Sequence, residues 1–248
     1  ELLRMTERMA ARGPDGSGLW FADDHRTGFG HRRLAIIDLS EGGVQPMQAD
    51  DGRPSTTPNG EIYNYRELRA ELQAKGRVFK SESDTEVLLQ LYAEHGAGMV
   101  SRLRGMFAFG LWDAAKRTLL LARDPLGIKP LYFARTDHFF RFASTTQALL
   151  AAGDIDATLD PVALHHQFML HASVPAPFTV LKGIRKLEQG TTLNIDATGR
   201  MCERRYWTLS AQRPTVAKSE AEWTEAIHDA LRQAVKKRIE IADVKVGV

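Results

Sequence analysis

The chain has 248 residues, room for one large domain or for one domain and part of a second. Lys and Arg (33) nearly balance Asp and Glu (31), so at a net charge of +2 no global field draws nucleic acid or an anionic membrane. No apolar run approaches the roughly 18–20 residues that span a bilayer, no signal peptide opens the chain, and a single Cys excludes an internal disulfide; the expectation is a cytoplasmic protein.

In chain order, Leu2, Met5 and Met9 fall at helical spacing and predict an amphipathic helix over Glu1–Arg12, entered without an N-cap and closed by the turn-rich Arg12–Gly16. Gly18–Ala22 and Gly28–Leu39 read as strands, the second through the run Leu34, Ile36, Ile37. Within it Arg32 and Arg33 point to opposite faces of the strand. Either one guanidinium faces inward or toward a cleft, or the strand is an edge and both reach solvent.

Pro54–Tyr65 reads as strand, corner and strand, with Asn59-Gly60-Glu61 at the corner. Asn-Gly is a common tight-turn dipeptide, and a plain turn is one reading. An ordinary hairpin does not call for a carboxylate beside it. The other reading is a catalytic corner in which the Asn59 amide and the Gly60 N–H stabilise an oxyanion and Glu61 accepts from a substrate ammonium. Pro54 and Pro58 each remove a backbone donor, which argues against a central strand at this point.

Tyr65–Lys75 is helical, stopped by Gly76. Ser83-Asp84-Thr85-Glu86 opens another helix as a capping box, and Val87, Leu88, Leu91, Tyr92 and His95 form its apolar face. Taken locally, Asp84 favours the helix dipole. Met106–Trp112 and Thr118–Arg123 form a hairpin, and short strands follow at Leu131–Ala134 and Phe139–Phe142. Thr145–Ala152 and Pro161–Leu170 are short helices. His165, His166 and His171 lack acidic or Cys companions at ligand spacing, so no metal site is expected. Ile184–Leu187, Thr191–Ile195 and Arg204–Trp207 are further strands, and Cys202 is expected to be a buried small hydrophobe. Leu209–Pro214 reads as a linker. Ser219–Ala242 is a long helix with a Ser219/Glu222 capping box and a buried stripe of Trp223, Ile227, Leu231, Val235 and Ile239. Of these, Trp223, Ile227, Leu231 and Val235 are expected to belong partly against a downstream domain and to stand exposed without it. Val244–Val248 then begins a strand that has no partner in the sequence, as if the chain were cut there.

Several stretches together carry a resemblance. Arg12-Gly13-Pro14-Asp15, Gly30–Asp38, Gln45-Pro46-Met47, Asn59–Tyr65, Ser83–Glu86, Gly105–Phe109, Arg123–Tyr132 and Asp243–Val248 follow in the order of the glutamine-hydrolysing asparagine synthetases, over essentially the whole chain. Phe142-Ala143-Ser144, Leu164-His165-His166 and Val174-Pro175-Ala176-Pro177 look most like the amidotransferases that form N-acetylglutaminylglutamine amide. The resemblance implies an α+β class II glutamine amidotransferase domain over residues 1–208. Its fold would be the N-terminal-nucleophile four-layer sandwich, two antiparallel sheets between helices. Residues 209–248 would supply a linker, a long helix and the first strand of a truncated α/β synthetase domain.

The same resemblance implies roles for particular residues. Arg33 would pair with the α-carboxylate of glutamine, Leu34, Ala35, Ile36 and Ile37 would line that pocket, Asn59 and Gly60 would form the oxyanion hole, and Glu61 and Asp84 would hold the α-ammonium. The chemistry agrees, since a zwitterionic amino acid needs one fixed cation and paired acceptors, and Arg offers a bidentate fork. The family nucleophile is an N-terminal Cys whose own α-amine is the base. Glu1 stands at the start of this chain instead, so residues 1–248 are expected to be inactive alone and to show an open sheet edge where the Cys strand would pair. ATP and Mg would serve the full-length enzyme and not this part. Glutamine, the chain's own C-terminal synthetase domain and a second copy in a homodimer are the implied partners, with no nucleic acid and no membrane. In the full enzyme, ammonia from glutamine would attack an activated carboxylate. The alternative is a non-catalytic glutaminase-like binding or scaffold domain, as in the β-lactam-forming synthetases.

Overall fold

The structure, a computed structural model, describes residues 1–50, 52–213 and 215–247. In chain order its elements are α1 (Leu2–Glu7), β1 (Gly16–Phe21), β2 (Gly28–Arg33), β3 (Met47–Gln48), β4 (Pro54–Ile62), α2 (Tyr65–Ala74), α3 (Asp84–His95), β5 (Gly105–Asp113), β6 (Thr118–Arg123), β7 (Tyr132–Arg135), β8 (Phe140–Ala143), α4 (Thr146–Ala152), α5 (Pro161–Met169), β9 (Arg185–Lys186), β10 (Thr191–Ile195), β11 (Met201–Arg205) and α6 (Glu220–Glu240). All strand pairing is antiparallel: a six-stranded sheet ordered β11-β10-β6-β5-β4-β3, a three-stranded sheet β8-β7-β9 and the hairpin β1-β2.

Strand alternation sets the layers. Phe107, Phe109 and Leu111 of β5 and Leu120 and Ala122 of β6 meet Leu68 and Leu72 of α2 and Val87, Leu88 and Leu91 of α3. The intervening Ala108 and Leu121 face the other way and pack with Leu193 and Ile195 of β10 against Leu131, Phe133 and Leu187. Behind that second layer of strands, Met5 of α1 and Ala148, Leu149 and Ala152 of α4 enclose Ala143 and Ile184. Helix, sheet, sheet and helix follow one another, but the second strand layer is divided between the three-stranded sheet and the β1-β2 hairpin.

Several local expectations are corrected. The strand begun at Gly28 ends at Arg33, and Leu34–Asp38 leaves it as a loop with Asp38 at φ 52°. Asn59-Gly60 is no corner between two strands but lies inside the single strand β4. Nor do its prolines push β4 to an edge, because it sits between β5 and β3. The register explains how. Tyr63 N–H donates to Arg104 O on the β5 side, whereas Ile62 N–H donates to Asp84 and Pro54 O accepts from Ala49 on the other. Even-numbered residues of β4 therefore turn their backbone groups away from β5. Both prolines are even-numbered, so their missing donors fall on the far side, where among the described residues β3 pairs only with Ser55 and Thr56.

At α3, Ser83 caps Thr85 N–H as expected, but Glu86 does not close the box. Its carboxylate accepts from Lys80 N–H, Ser81 N–H and Ser81 Oγ instead. The last strand is Met201–Arg205 rather than Arg204–Trp207, and Cys202 lies exposed on it, since β11 is the outer strand of its sheet. The expected box at Ser219 and Glu222 forms, but α6 buries none of its residues, and Trp223, Ile227, Leu231, Val235 and Ile239 are exposed. Residues 244–247 form no strand, and Val248 and Pro214 lie outside the described residues. Among the described residues no helix is long and apolar enough to cross a membrane.

Candidate active site

A cavity of about 1160 Å³ opens where β2 and its following loop meet β4 and the start of α3. Of the residues singled out in the sequence, Arg33, Leu34, Ile36, Ile37, Asn59, Gly60, Glu61 and Asp84 all line it. Ala35 does not; its N–H donates to Asp15 Oδ2 at 2.9 Å, fixing the loop from behind. Gly60 sits at φ 135°, and an added Cβ would overlap the Met106 carbonyl oxygen, so the position admits only glycine without a shift of β5. By the register of β4, the Gly60 N–H faces away from β5, on the side where Ile62 N–H meets Asp84.

The charges in this wall differ in how they are held. Asp84 is buried at the first position of α3, with Oδ2 accepting from Ile62 N–H at 2.9 Å. Burial, and then the nearby Glu61 carboxylate, push its pKa up to about 6 despite that bond. Burial also raises Glu61, against the lowering influence of Lys129 and Arg238. Burial is the first cause of the rise at both carboxylates, and Lys129, which also lines the cavity, opposes it at Glu61. Arg33 faces the 38–40 loop rather than bulk solvent: its guanidinium donates to Ser40 O at 3.0 Å and to Asp38 O, and it packs against Gly43. Arg32, on the opposite face, donates to Gly13 O at 3.1 Å.

Sequence reasoning missed some of the residues that build this wall. His31 pairs its Nδ1 with Thr57 Oγ1 at 3.1 Å, tying β2 to β4, and burial, aided by the Arg33 charge, lowers its pKa to about 4. It is therefore a neutral imidazole at pH 7. Asp38 is the junction of the wall. Its carbonyl accepts from Arg33, its Oδ1 from Ser40 N–H and its Oδ2 from Glu82 N–H, two residues ahead of Asp84. An Asp followed two residues later by Ser is an Asx-turn signal that marks the local bonds, but not the link to Glu82.

On the opposite side of the cavity, β8 supplies Phe140–Ala143, and Phe142 meets Phe29 of β2 edge-on with ring centroids 5.8 Å apart. Among the described residues β2 pairs only with β1, and β8 only with β7, so each leaves one edge unpaired there beside the cavity. No thiol lines it, since Cys202 is the single Cys of the chain and lies on β11.

Comparison with known proteins adds family and fold. Residues 1–207 match the family model described as a glutamine amidotransferase domain. Over all 248 residues the chain is 40% identical to asparagine synthetase [glutamine-hydrolyzing] 1 of Bacillus subtilis, of which it covers 38%. It is 39% identical over 214 residues, 86% of the chain, to asparagine synthetase [glutamine-hydrolyzing] 3 of the same organism, covering 34% of that protein. The chain thus spans a little over a third of the length of these relatives. Among solved structures, glutamine phosphoribosylpyrophosphate amidotransferase from Bacillus subtilis superposes with a TM-score of 0.59 at 21% identity, over 83% of this chain and 46% of that one. At that identity the likeness is one of fold.

Proposed function

The chain belongs to the glutamine amidotransferase domain family, and on that premise we propose that it is the glutamine-binding part of an asparagine synthetase-type amidotransferase, which takes ammonia from the glutamine side chain for amide formation on an activated carboxylate. The observation that carries the reading is that, among several charged groups of the cavity, the Arg33 guanidinium and the Glu61 and Asp84 carboxylates line it together with the Asn59-Gly60 pair. That is the charge pattern of a free α-amino acid. On this reading Arg33 pairs with the α-carboxylate at the loop formed by Leu34–Ile37, and Glu61 and Asp84 receive the α-ammonium. The substrate's ammonium is then a cation for two carboxylates whose pKa values burial raises.

The side-chain amide carbon would lie near Asn59 and Gly60. Attack there moves an electron pair onto the carbonyl oxygen, and the Asn59 amide and the Gly60 N–H are the donors for that oxyanion, each worth about 2.7–4 kcal/mol in comparable sites. On this reading the nucleophile is a thiolate, and no Cys is among the residues that line this cavity. The unpaired edges of β2 and β8 offer a place for an extended segment that carries it, and such a strand would join the divided second layer into one sheet. ATP and Mg belong, on this reading, to the portion of the relatives that the chain does not span. Among the described residues no three His, Cys, Asp or Glu side chains are grouped to hold a metal ion, and no step here depends on either.

Calorimetric titration of residues 1–248 with L-glutamine tests the pocket. Binding is expected, weakened at least about ten-fold in Arg33→Ala, which removes a charge-assisted pair. Equal affinity in wild type and Arg33→Ala would sink the assignment. Ammonia release by residues 1–248 is expected not to exceed the enzyme-free control, because loss of a nucleophile costs as much as about 10⁶ in rate. Release that disappears in Cys202→Ala would show that Cys202 acts as the nucleophile.

A further inference from the structure

The helix α6 is bare along most of its length, yet its end is fastened to the cavity wall. Just beyond its last turn, Ile241 is buried at 4% exposure in the same core cluster as Ile37 and Ile62. Arg66 donates from Nη1 to Glu240 O at 3.0 Å, and the Arg238 guanidinium lies 4.7 Å from the centroid of the Tyr63 ring. Asp243 then grips the loop after β2 twice. Its N–H donates to Ile36 O at 2.8 Å, and its Oδ2 accepts from Asp38 N–H at 2.8 Å.

These two bonds bracket Ile37 and fix the backbone on either side of it. The Asp38 peptide that donates to Asp243 belongs to the residue whose carbonyl holds Arg33 and whose carboxylate holds Glu82. A change at Asp243 therefore reaches both the guanidinium side and the Asp84 side of the cavity through one residue. Asp38 is held at φ 52°, where a non-glycine backbone persists only while its surroundings over-determine it. Asp243 supplies part of that determination, 205 residues away in sequence from Asp38.

We propose that Asp243 is a positioning residue for the glutamine pocket. It clamps the Ile36–Asp38 backbone in the form that presents Arg33, and so it makes the placement of the α6 end a determinant of substrate affinity. The inference rests on the reading that this loop receives the α-carboxylate of glutamine. The bond is charge-assisted, and its removal leaves a part-buried N–H without an acceptor, a loss that corresponds to about ten-fold in a local equilibrium.

Hydrogen exchange and calorimetry on residues 1–248 test the clamp together. In Asp243→Ala the Asp38 amide is expected to exchange about ten-fold faster and L-glutamine to bind about ten-fold more weakly. Asp243→Asn keeps an acceptor oxygen and is expected to restore most of both. Leu231→Ala, on the exposed face of α6, controls for general loosening of the helix. A general structural role would speed exchange throughout the core rather than at the Asp38 amide. Unchanged Asp38 exchange in Asp243→Ala, or equal losses of affinity in Asp243→Ala and Leu231→Ala, overturns the proposal. A wild-type chain that does not bind L-glutamine overturns the reading of the pocket instead, and the exchange measurement then decides the clamp by itself.

Discussion

α3 and α6 begin with the same signals, a capping Ser with Glu three residues on and an apolar stripe at helical spacing, and they end in opposite circumstances. In α3 the stripe is fully used: Val87, Leu88 and Leu91 are each at most 1% exposed against β5 and β6. In α6 Ile227 and Leu231 stand 61% and 62% exposed. The caps reverse the order. The box closes at Ser219/Glu222, where nothing competes, and fails to close at Ser83, where Glu86 is drawn off to the amides of Lys80 and Ser81. Local signals are honoured in full where tertiary structure makes no demand and are overruled where it does. Periodicity establishes that a helix has an apolar face, and is silent on what covers it.

The largest expected effect sets the two stripes against each other. Leu88→Ala should cost about 2–5 kcal/mol, the range for a buried leucine that leaves a cavity, while Leu231→Ala should fall within about 0.5 kcal/mol. Urea unfolding of both variants measures it. Comparable losses would mean that α6 is covered in solution, and the contrast between the helices would go with it.

Acid titration sharpens the contrast next, because α3 carries at its start a buried carboxylate that no residue of α6 matches. Asp84 has its folded pKa near 6, above the ordinary 3.8, so its contribution to stability is present at low pH and is lost as pH rises through 6. His31, lowered to about 4, works the other way: its contribution is present above the ordinary 6.5 and is lost as pH falls through 4. The two oppose each other between pH 4 and 6.5. Asp84→Asn should therefore expose a loss of stability on acidification, and His31→Gln a gain, each on the order of 2–3 kcal/mol at most. Parallel stability–pH curves for wild type and both variants would remove the buried titrating pair. Ligand binding supplies an independent reading: affinity for L-glutamine should fall as pH drops through 6 in wild type, and this fall should be smaller in Asp84→Asn.

Gly60→Ala is expected to cost about 1–3 kcal/mol, since the residue must hold φ 135° and displace the Met106 carbonyl. Thermal unfolding of the variant is the check. A substitution without effect would mean that β4 relaxes at Gly60 as freely as an exposed helix does.

How much was legible follows the same line. The order of helices and strands came through, since β5, β6, α2 and α3 carry clean periods of two or of three to four. Of the cavity wall, the Asn59-Gly60-Glu61 stretch stands out by its residue types, whereas Arg33 and Asp84 join it only through the family resemblance, and all five line the cavity. What stayed hidden depends on which backbone groups face where. Pro54 and Pro58 looked like breakers because composition does not reveal that both fall on the side of β4 facing away from β5. The strand after Gly28 looked continuous because the bonds that pull Leu34–Asp38 out of the sheet come from Asp15, Glu82 and Asp243. Cys202 looked buried because its type is usually buried, and it sits on the outer strand.

The smallest effect returns to the two caps. Ser83 and Ser219 each accept from a backbone N–H at the start of a helix, and replacement of such a residue by Ala costs about 0.5–2 kcal/mol wherever the helix is part of the cooperative fold. For Ser83→Ala the loss should appear in global unfolding, because α3 cannot fray without exposing Val87 and Leu88 and releasing Asp84 from Ile62. For Ser219→Ala the same chemical loss should appear only locally. The first turns of α6 should exchange their amides faster, while the midpoint of global unfolding stays where it was, since no residue of that helix is buried. Global unfolding therefore separates the two variants where the cap chemistry does not. A drop in the midpoint for Ser219→Ala equal to that for Ser83→Ala would show that α6 unfolds with the core, and that its apolar stripe is covered by something that the rest of this chain does not provide.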